Sequence, residues 1–330
     1  MVDIKVLLIS VVTLFCYLLV GFILRKVKLV DSNFSKLFSV YVLYVAQVAL
    51  FVHGFFIEFE SKILKGVAWV FGIAVLIHAL SYLLVLCLFK NAPDEMRTVL
   101  RYAIVFSNAG YMGIPVISDI LGEEYVIYAT FYIVVFNVFN FSIGRLIYTG
   151  DKKYIKLKEI IINPAVIPLT IGFIIFITGA GGWVVNVVSI GNTSVVNTGV
   201  NIFYSVLTTL KNTVAPASMM VIGCRLAEID FKGIFKDKYL YPYILMRHFI
   251  VPVISWFIMK ALILVGILSS DVAVIVISVV LVLNSTPSAA STTIFAELYD
   301  GDARYAGKLV AISTLLSVVT MPIVALLLKI

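Results

Sequence analysis

The sequence predicts an all-α polytopic membrane protein of ten transmembrane helices. Three observations carry this. First, 62% of the 330 residues are hydrophobic and only 13% are charged, against roughly 25% charged in a soluble domain. The mean hydropathy is +1.10, and a soluble fold of this length has no interior large enough for so much apolar surface. Second, the apolar residues form continuous runs close to the ~20 residues that cross a bilayer as a helix. Third, the loops between runs alternate between Lys/Arg-rich and Lys/Arg-poor.

The runs lie at 4–24, 37–56, 66–89, 100–120, 125–148, 162–180, 198–224, 240–265, 271–297 and 305–328. The first is longer than the apolar region of a signal peptide and lacks a small-x-small cleavage site, so it reads as an uncleaved first helix. Arg25, Lys26, Lys28 and Lys36 separate it from the second run. Lys90, Arg97 and Arg101 lie between the third and fourth, and Arg145, Lys152, Lys153, Lys156 and Lys158 between the fifth and sixth. Arg225, Lys232, Lys236 and Lys238 follow the seventh, and Arg304 and Lys308 follow the ninth. These connections hold 18 basic residues; the opposite side holds 6, namely Lys5, Lys62, Lys65, Lys211, Lys260 and Lys329. Cytoplasmic loops collect Lys and Arg, so both termini are expected outside the cytoplasm, in a multi-pass protein of the cell membrane. The net charge of +7 is spread over short loops and forms no nucleic-acid-binding domain.

The longest basic connection divides the runs five and five, into an N-terminal repeat at 1–149, a cytoplasmic linker at 150–161 and a C-terminal repeat at 162–330. An odd number of spans per half inserts the second half upside down, giving two inverted five-helix repeats, a common transporter construction. Pro115 and Pro287 are 172 residues apart, and His78 and His248 are 170 apart. These offsets suit a repeat, although the halves share little identity.

Two segments interrupt the apolar pattern. One is Ser107-Asn108-Ala109-Gly110-Tyr111-Met112-Gly113-Ile114-Pro115, in the fourth run. The other is Asn284-Ser285-Thr286-Pro287-Ser288-Ala289-Ala290-Ser291-Thr292-Thr293, in the ninth. Proline removes an amide donor, and glycine and serine weaken a helix further. Paired interruptions of this kind mark transporter binding sites. Broken helices expose free N–H groups and positive dipole ends, which suits a small carboxylate. The plainer reading is a pair of proline kinks packed by small residues.

Other polar positions are weighed singly. His78 lies mid-span in the third run and is either bonded to a neighbouring helix or a proton- or charge-coupling group. His53 is expected at the interface. Arg247 is expected to snorkel to the cytoplasmic surface, and Lys211 either snorkels or attracts anions. Glu297, Asp300 and Asp302 read as a solvated helix end. Gln47, Asn137 and Asn140 are further polar candidates. Cys16, Cys87 and Cys224 have no metal or disulfide spacing and read as small buried hydrophobes. No metalloprotease motif or nucleophile elbow is present, and Tyr299-Asp300-Gly301-Asp302 lacks the second aspartate of an intramembrane aspartyl protease. The sequence therefore predicts no enzyme. A channel or sensor is the other rival class, but the five-plus-five layout favours alternating access.

These residues resemble the auxin efflux carrier family, which includes plant PIN-formed carriers and bacterial permeases for malate and malonate. Asn108 to Pro115 resembles the family's Asn-x-x-x-x-Gly-Ile-Pro crossover. Thr286-Pro287 with Ile294-Phe295-Ala296-Glu297-Leu298-Tyr299 is similar to the second crossover. Ser313-Thr314-Leu315-Leu316-Ser317 resembles the opening of its last helix, and Asn163-Pro164 the start of its sixth. The chain departs from the family at Gln47-Val48-Ala49, where members often carry proline, and it lacks both the long cytoplasmic loop of the plant carriers and an acidic residue in the third helix.

The resemblance implies a fold like that of bile-acid sodium symporters, with helices four and nine crossing at their broken centres. It also implies an elevator motion against a scaffold that mediates a homodimer. By motif match Asn108 is a substrate residue, and Gly110, Tyr111, Pro115, Asn284, Ser285, Thr286, Pro287, Ser288, Ser291, Gln47 and Asn137 complete the expected site. The expected function is secondary transport of a small mono- or dicarboxylate, malate or an auxin-like acid, with export driven by the membrane potential. The alternative is a sodium-coupled organic anion symporter. No cofactor or metal is expected, apart from sodium in that alternative.

Overall fold

Runs this apolar satisfy their backbone groups internally only as helices, and the computed structural model of the chain is helical throughout. It describes residues 4–155, 158, 166–191 and 194–329, and among these no strand is found. Side-chain caps open several helices. Asp31 accepts from the Phe34 N–H at 3.0 Å, Ser194 from the Asn197 N–H at 3.2 Å and Asp302 from the Tyr305 N–H at 2.8 Å, each satisfying one otherwise unpaired N–H of a first turn.

The first helix, α1, is Ile4–Lys26. α2 (Ser32–Tyr41) runs through a π-helical turn at Val42–Ala46 into α3 (Gln47–His53), and α4 is Ser61–Leu86. The fourth run is broken into α5 (Asp94–Val105) and α6 (Ile114–Leu121), the latter preceded by a π-helical turn at Ala109–Gly113. α7 (Val126–Phe139) continues through a third such turn at Asn140–Gly144 into α8 (Arg145–Thr149). Then come α9 (Val166–Ile177), α10 (Ala180–Ile190), α11 (Val195–Asn212) and α12 (Val214–Leu226). α13 (Leu240–Leu245) runs through a turn at Met246–Ile250 into α14 (Val251–Leu264). The ninth run is broken into α15 (Ser270–Ser285) and α16 (Ser291–Leu298), and α17 (Ala303–Ala325) ends the fold.

Six helices among the described residues are long and apolar enough to cross a membrane; α9 with α10, bent by 76°, makes a seventh if counted as one span. Large apolar side chains such as Ile9, Ile174, Phe203 and Phe257 point outward. An outer surface this apolar is buried only by lipid, and the chain is a multi-pass membrane protein.

Three expectations need correction. The sixth run was expected to end at residue 180, but a further helix, α10, begins there. Gly179, at φ +74°, takes the left-handed conformation that turns the chain between α9 and α10, and the apolar face of α10 then packs on α11. Cys16 and Cys87 are exposed, and only Cys224 is buried, because the outer face of a membrane protein is itself apolar. Pro115 does not mark a break. The break lies ahead of it, at Ser107–Asn108. The helix begins with the Ala109–Gly113 turn and continues into α6, with the Ile114 N–H bonded to the Ala109 carbonyl, so Pro115 lies inside a continuous helix directly after the wider turn. It therefore does not hold a place equivalent to that of Pro287. The expected helix start at Asn163-Pro164 lies outside the described residues.

The helices pack in two groups. α1 lies along α12, which also touches α2, while α3 packs on α9 and α11. In the second group α4 packs on α7 and α15, α5 and α16 on α17, and α14 on α15. The closest approach in the first group is glycine-made. A Cβ on Gly223 would stand 1.9 Å from the Leu18 carbonyl oxygen, and one on Gly21 would stand 2.1 Å from that of Met220. The Cys224 thiol donates to the Gly21 carbonyl at 3.1 Å across the same contact. Small residues of this kind let two backbones meet in a membrane.

Replacing Gly223 with Val is expected to separate α1 from α12 and to cost about 2 kcal/mol or more, read as a lower unfolding temperature in detergent. Gly199→Ala is the control. A Cβ there meets nothing within 4 Å, so no loss is expected.

Candidate functional site

The two broken helices meet at their breaks. Ser107 and Ser288 form an isolated antiparallel bridge. The Asn108 N–H donates to the Pro287 carbonyl at 2.7 Å, and the Ala289 N–H donates to the Phe106 carbonyl at 2.9 Å. Backbone groups freed by one break are thus satisfied by the other, as membrane depth demands.

The carbonyl ends of α5 and α15 converge on one side chain. Arg247, fully buried, donates to the carbonyls of Ile104 at 3.0 Å, Asn284 at 2.7 Å and Thr286 at 2.7 Å. The negative ends of two helix dipoles hold its charge. Arg247 therefore does not snorkel. Three fixed acceptors surround it inside the protein, and no free route to the surface competes with them.

A second network fixes the break of α15. The Ser288 hydroxyl donates to the Ala103 carbonyl at 2.6 Å and lies 2.6 Å from the Tyr243 hydroxyl. The Ser288 N–H donates to Ser313 Oγ at 2.9 Å. His248 bridges Ser313 at 2.9 Å and Thr320 at 2.8 Å.

On the opposite side of the crossing strands lies a cavity of about 380 Å³. Of the expected residues, Asn108, Gly110, Tyr111, Ser291, Gln47 and Asn137 line it together. The Asn108 side chain makes no hydrogen bond among the described residues. Gly110 leaves room for the Gln47 amide, whose nitrogen would stand 3.1 Å from a Cβ there. Asn137 donates to the Ile133 carbonyl at 2.9 Å. The first N–H groups of α16 and of the Ala109–Gly113 turn begin here without intrahelical partners.

The other expected residues lie elsewhere. Pro115, Asn284, Ser285, Thr286, Pro287 and Ser288 do not line the cavity. The hydroxyls of Ser285 and Thr286 are turned back to the Val282 and Leu283 carbonyls, both at 2.8 Å. The Asn284 and Thr286 carbonyls face Arg247, and Ser288 is held in its network. His78 is also apart. It sits in a cage of Phe106, Tyr132, Phe136 and Phe139 rings, with centroids 5.3–6.2 Å away. Its Nδ1 is 2.8 Å from the carbonyl of Ala74, on its own helix and not on a neighbour.

Asn140 also lines the cavity. Its three-residue spacing from Asn137 placed both on one face of the helix. The Tyr102 hydroxyl bonds to Asn140 Oδ1 and to Ser291 Oγ, the latter at 2.9 Å, tying α5, α7 and α16 at the wall of the site. Nothing in the sequence marked this tyrosine among the 17 in the chain.

Two further spaces continue the cavity. A neck of about 140 Å³ shares Leu43, Tyr111, Ala290 and Ile294 with it. A vestibule of about 690 Å³ shares Ile222, Arg225 and Ala290 with the neck. The vestibule lies between the end of α12 and the start of α17, at the end of the bundle where most basic loops gather. At the other end, Lys211 is 6% exposed and pairs with Glu123 at 2.7 Å, so it neither snorkels nor stands free. Near it, His53 is buried beside Phe56 and Tyr204.

Replacing Arg247 with Gln is expected to leave carbonyls of both breaks unpaired and to cost on the order of 3 kcal/mol, seen as a sharp fall in thermal stability. Tyr102→Phe, which keeps the ring, is expected to cost about 1 kcal/mol in the same measurement.

A search of curated proteins gives no match. The model of the family described as membrane transport protein matches residues 6–325, which include both breaks, the cavity and Arg247. The chain belongs to this family of membrane transporters, that of the auxin efflux carriers and PIN-like proteins.

Proposed function

We propose that the protein is a secondary transporter of a small organic anion, a mono- or dicarboxylate such as malate or an auxin-like acid. One observation carries this reading: two broken helices pair at their breaks and open onto one cavity lined by Asn108, Gln47, Asn137 and Asn140. N–H groups, amides and the positive ends of α16 and of the helix that begins at Ala109 suit a carboxylate. Nearly neutral walls let it leave again.

The architecture supporting this has ten spans in two inverted repeats, 1–149 and 162–330, joined by a cytoplasmic linker. The long helices, the bent pair and the interrupted segments α5/α6, α11/α12 and α15/α16 are compatible with that count. In this reading α5/α6 and α15/α16 cross at the breaks, and the basic end faces the cytoplasm of the cell membrane, with both termini outside. The vestibule then opens inward, and the Lys211–Glu123 pair closes the outer end. The group containing the breaks moves as an elevator against the group built on α1 and α12, which carries the dimer contact.

Labelled malate uptake into proteoliposomes tests this. Flux is expected to follow an imposed potential of either sign and to ignore sodium. Sodium-dependent flux would instead assign a coupled symporter. Asn108→Ala is expected to weaken malate binding about tenfold, the loss of one buried hydrogen bond to a charged ligand, with the unfolding temperature unchanged. Unaltered affinity would remove Asn108 from the site.

A further inference from the structure

The vestibule that leads to the site carries a cation with no assigned task. Arg225 is in the last turn of α12, half-buried, and lines both the vestibule and the neck. Its guanidinium makes no hydrogen bond or ion pair among the described residues. Glu228, three residues on and lining the same space, is the obvious partner. It is held instead by Arg25, whose Nε lies 2.7 Å from the carboxylate. The Glu228 carboxylate is thus taken by α1. Asp230 and Glu297 also line the vestibule, against Lys36, Arg304 and Lys308, and of these groups only Arg225 lines the neck as well.

This position has consequences. The wall changes character at Arg225. Outward lie charged residues such as Lys36, Arg304 and Lys308; inward lie Tyr111, Ile222 and Ile294. A guanidinium presents a planar fork of donors that fits a carboxylate with two parallel hydrogen bonds. At a partly desolvated place its attraction is several times that of a charge in open water. Vestibule volume is no obstacle, since about 690 Å³ lies within the range of ligand pockets, roughly 300–1,000 Å³. Tyr111, with Leu43, Ala290 and Ile294, lines the neck and the inner cavity alike, so the two spaces that hold Arg225 and Asn108 adjoin at these side chains.

We propose that Arg225 forms an anion-docking subsite at the mouth of the neck, where a small organic carboxylate is held before it passes Tyr111 into the cavity beside Asn108. The identity of the ligand rests on the proposed function; the positive docking point does not. The subsite concentrates anions at the entrance and turns cations away, while the inner site remains uncharged on its substrate-facing walls.

A reporter thiol tests the docking point without a substrate. Thr293 lines the vestibule on α16. In the full chain carrying Thr293→Cys, Cys16→Ala and Cys87→Ala, an anionic methanethiosulfonate is expected to react faster than a cationic one. Arg225→Gln is expected to lower that rate ratio about fivefold or more, the effect of one charge at short range in a wet vestibule, and Arg225→Lys to restore it. The unfolding temperature is expected to stay the same, because the guanidinium supports no other residue. A ratio equal in all three proteins, or a thiol inert to both reagents, would overturn the proposal. For malate presented from the basic end, Arg225→Gln is expected to raise KM about tenfold with kcat within a factor of two. An unchanged KM in a flux-competent protein also overturns the subsite. Absence of malate flux in the wild type counts against the proposed substrate alone, and the thiol ratio then decides the subsite.

Discussion

The rest of the structure depends on how the two chain breaks satisfy each other inside the membrane. Breaking a helix there frees donors and acceptors that no lipid can pair. In this protein the Ser107–Ser288 bridge pairs the strands themselves, and Arg247 takes the carbonyl ends of α5 and α15. The carbonyl ends are thereby consumed by protein, while the N–H ends of the following halves are left facing the cavity. The proposal of a negatively charged ligand rests on that asymmetry.

The same constraint explains why the polar residues of the two breaks have different fates. Ser285, Thr286 and Ser288 lie where the backbone of α15 must be held, and their side chains bond to Val282, Leu283 and Ala103. Asn108, Gly110 and Tyr111 line the cavity, and the Asn108 side chain holds no backbone group among the described residues. Ser291 stands between, closing the wall through Tyr102. A dense polar segment in a membrane helix is thus partly scaffold and partly surface, and the division follows which way each residue faces.

The two packing groups meet where α1 touches α6 and α17. Glycines bring α1 and α12 into direct backbone contact. The group with the breaks is held by buried hydrogen bonds through Tyr243, Arg247 and His248. Between them run the cavity, the neck and the vestibule, so the path follows the seam. The Lys211–Glu123 pair joins α11 to the connection between α6 and α7 across the end of that seam.

Much of this was legible in the sequence because membrane burial leaves coarse marks. Composition and run length announce membrane helices, loop charge reports which loops share an end, and interruptions at Asn108 and Pro287 show where helices fail. The Gln47, Asn108, Asn137 and Ser291 grouping was expected for the same reason, since polar residues are rare there and each needs a purpose. Tertiary structure alone decided the rest. Pro115 reads like a break, but the break lies before Ala109 and the helix runs on through the proline after a π-helical turn. Arg247 reads like a snorkelling side chain, yet it is locked by three carbonyls from two distant segments. Glu228 looks like the partner of Arg225 until α1 brings Arg25 to it. A one-dimensional pattern records which residues are polar; which of them find partners is settled only when remote segments arrive, and among the described residues that left Arg225 without an ion pair.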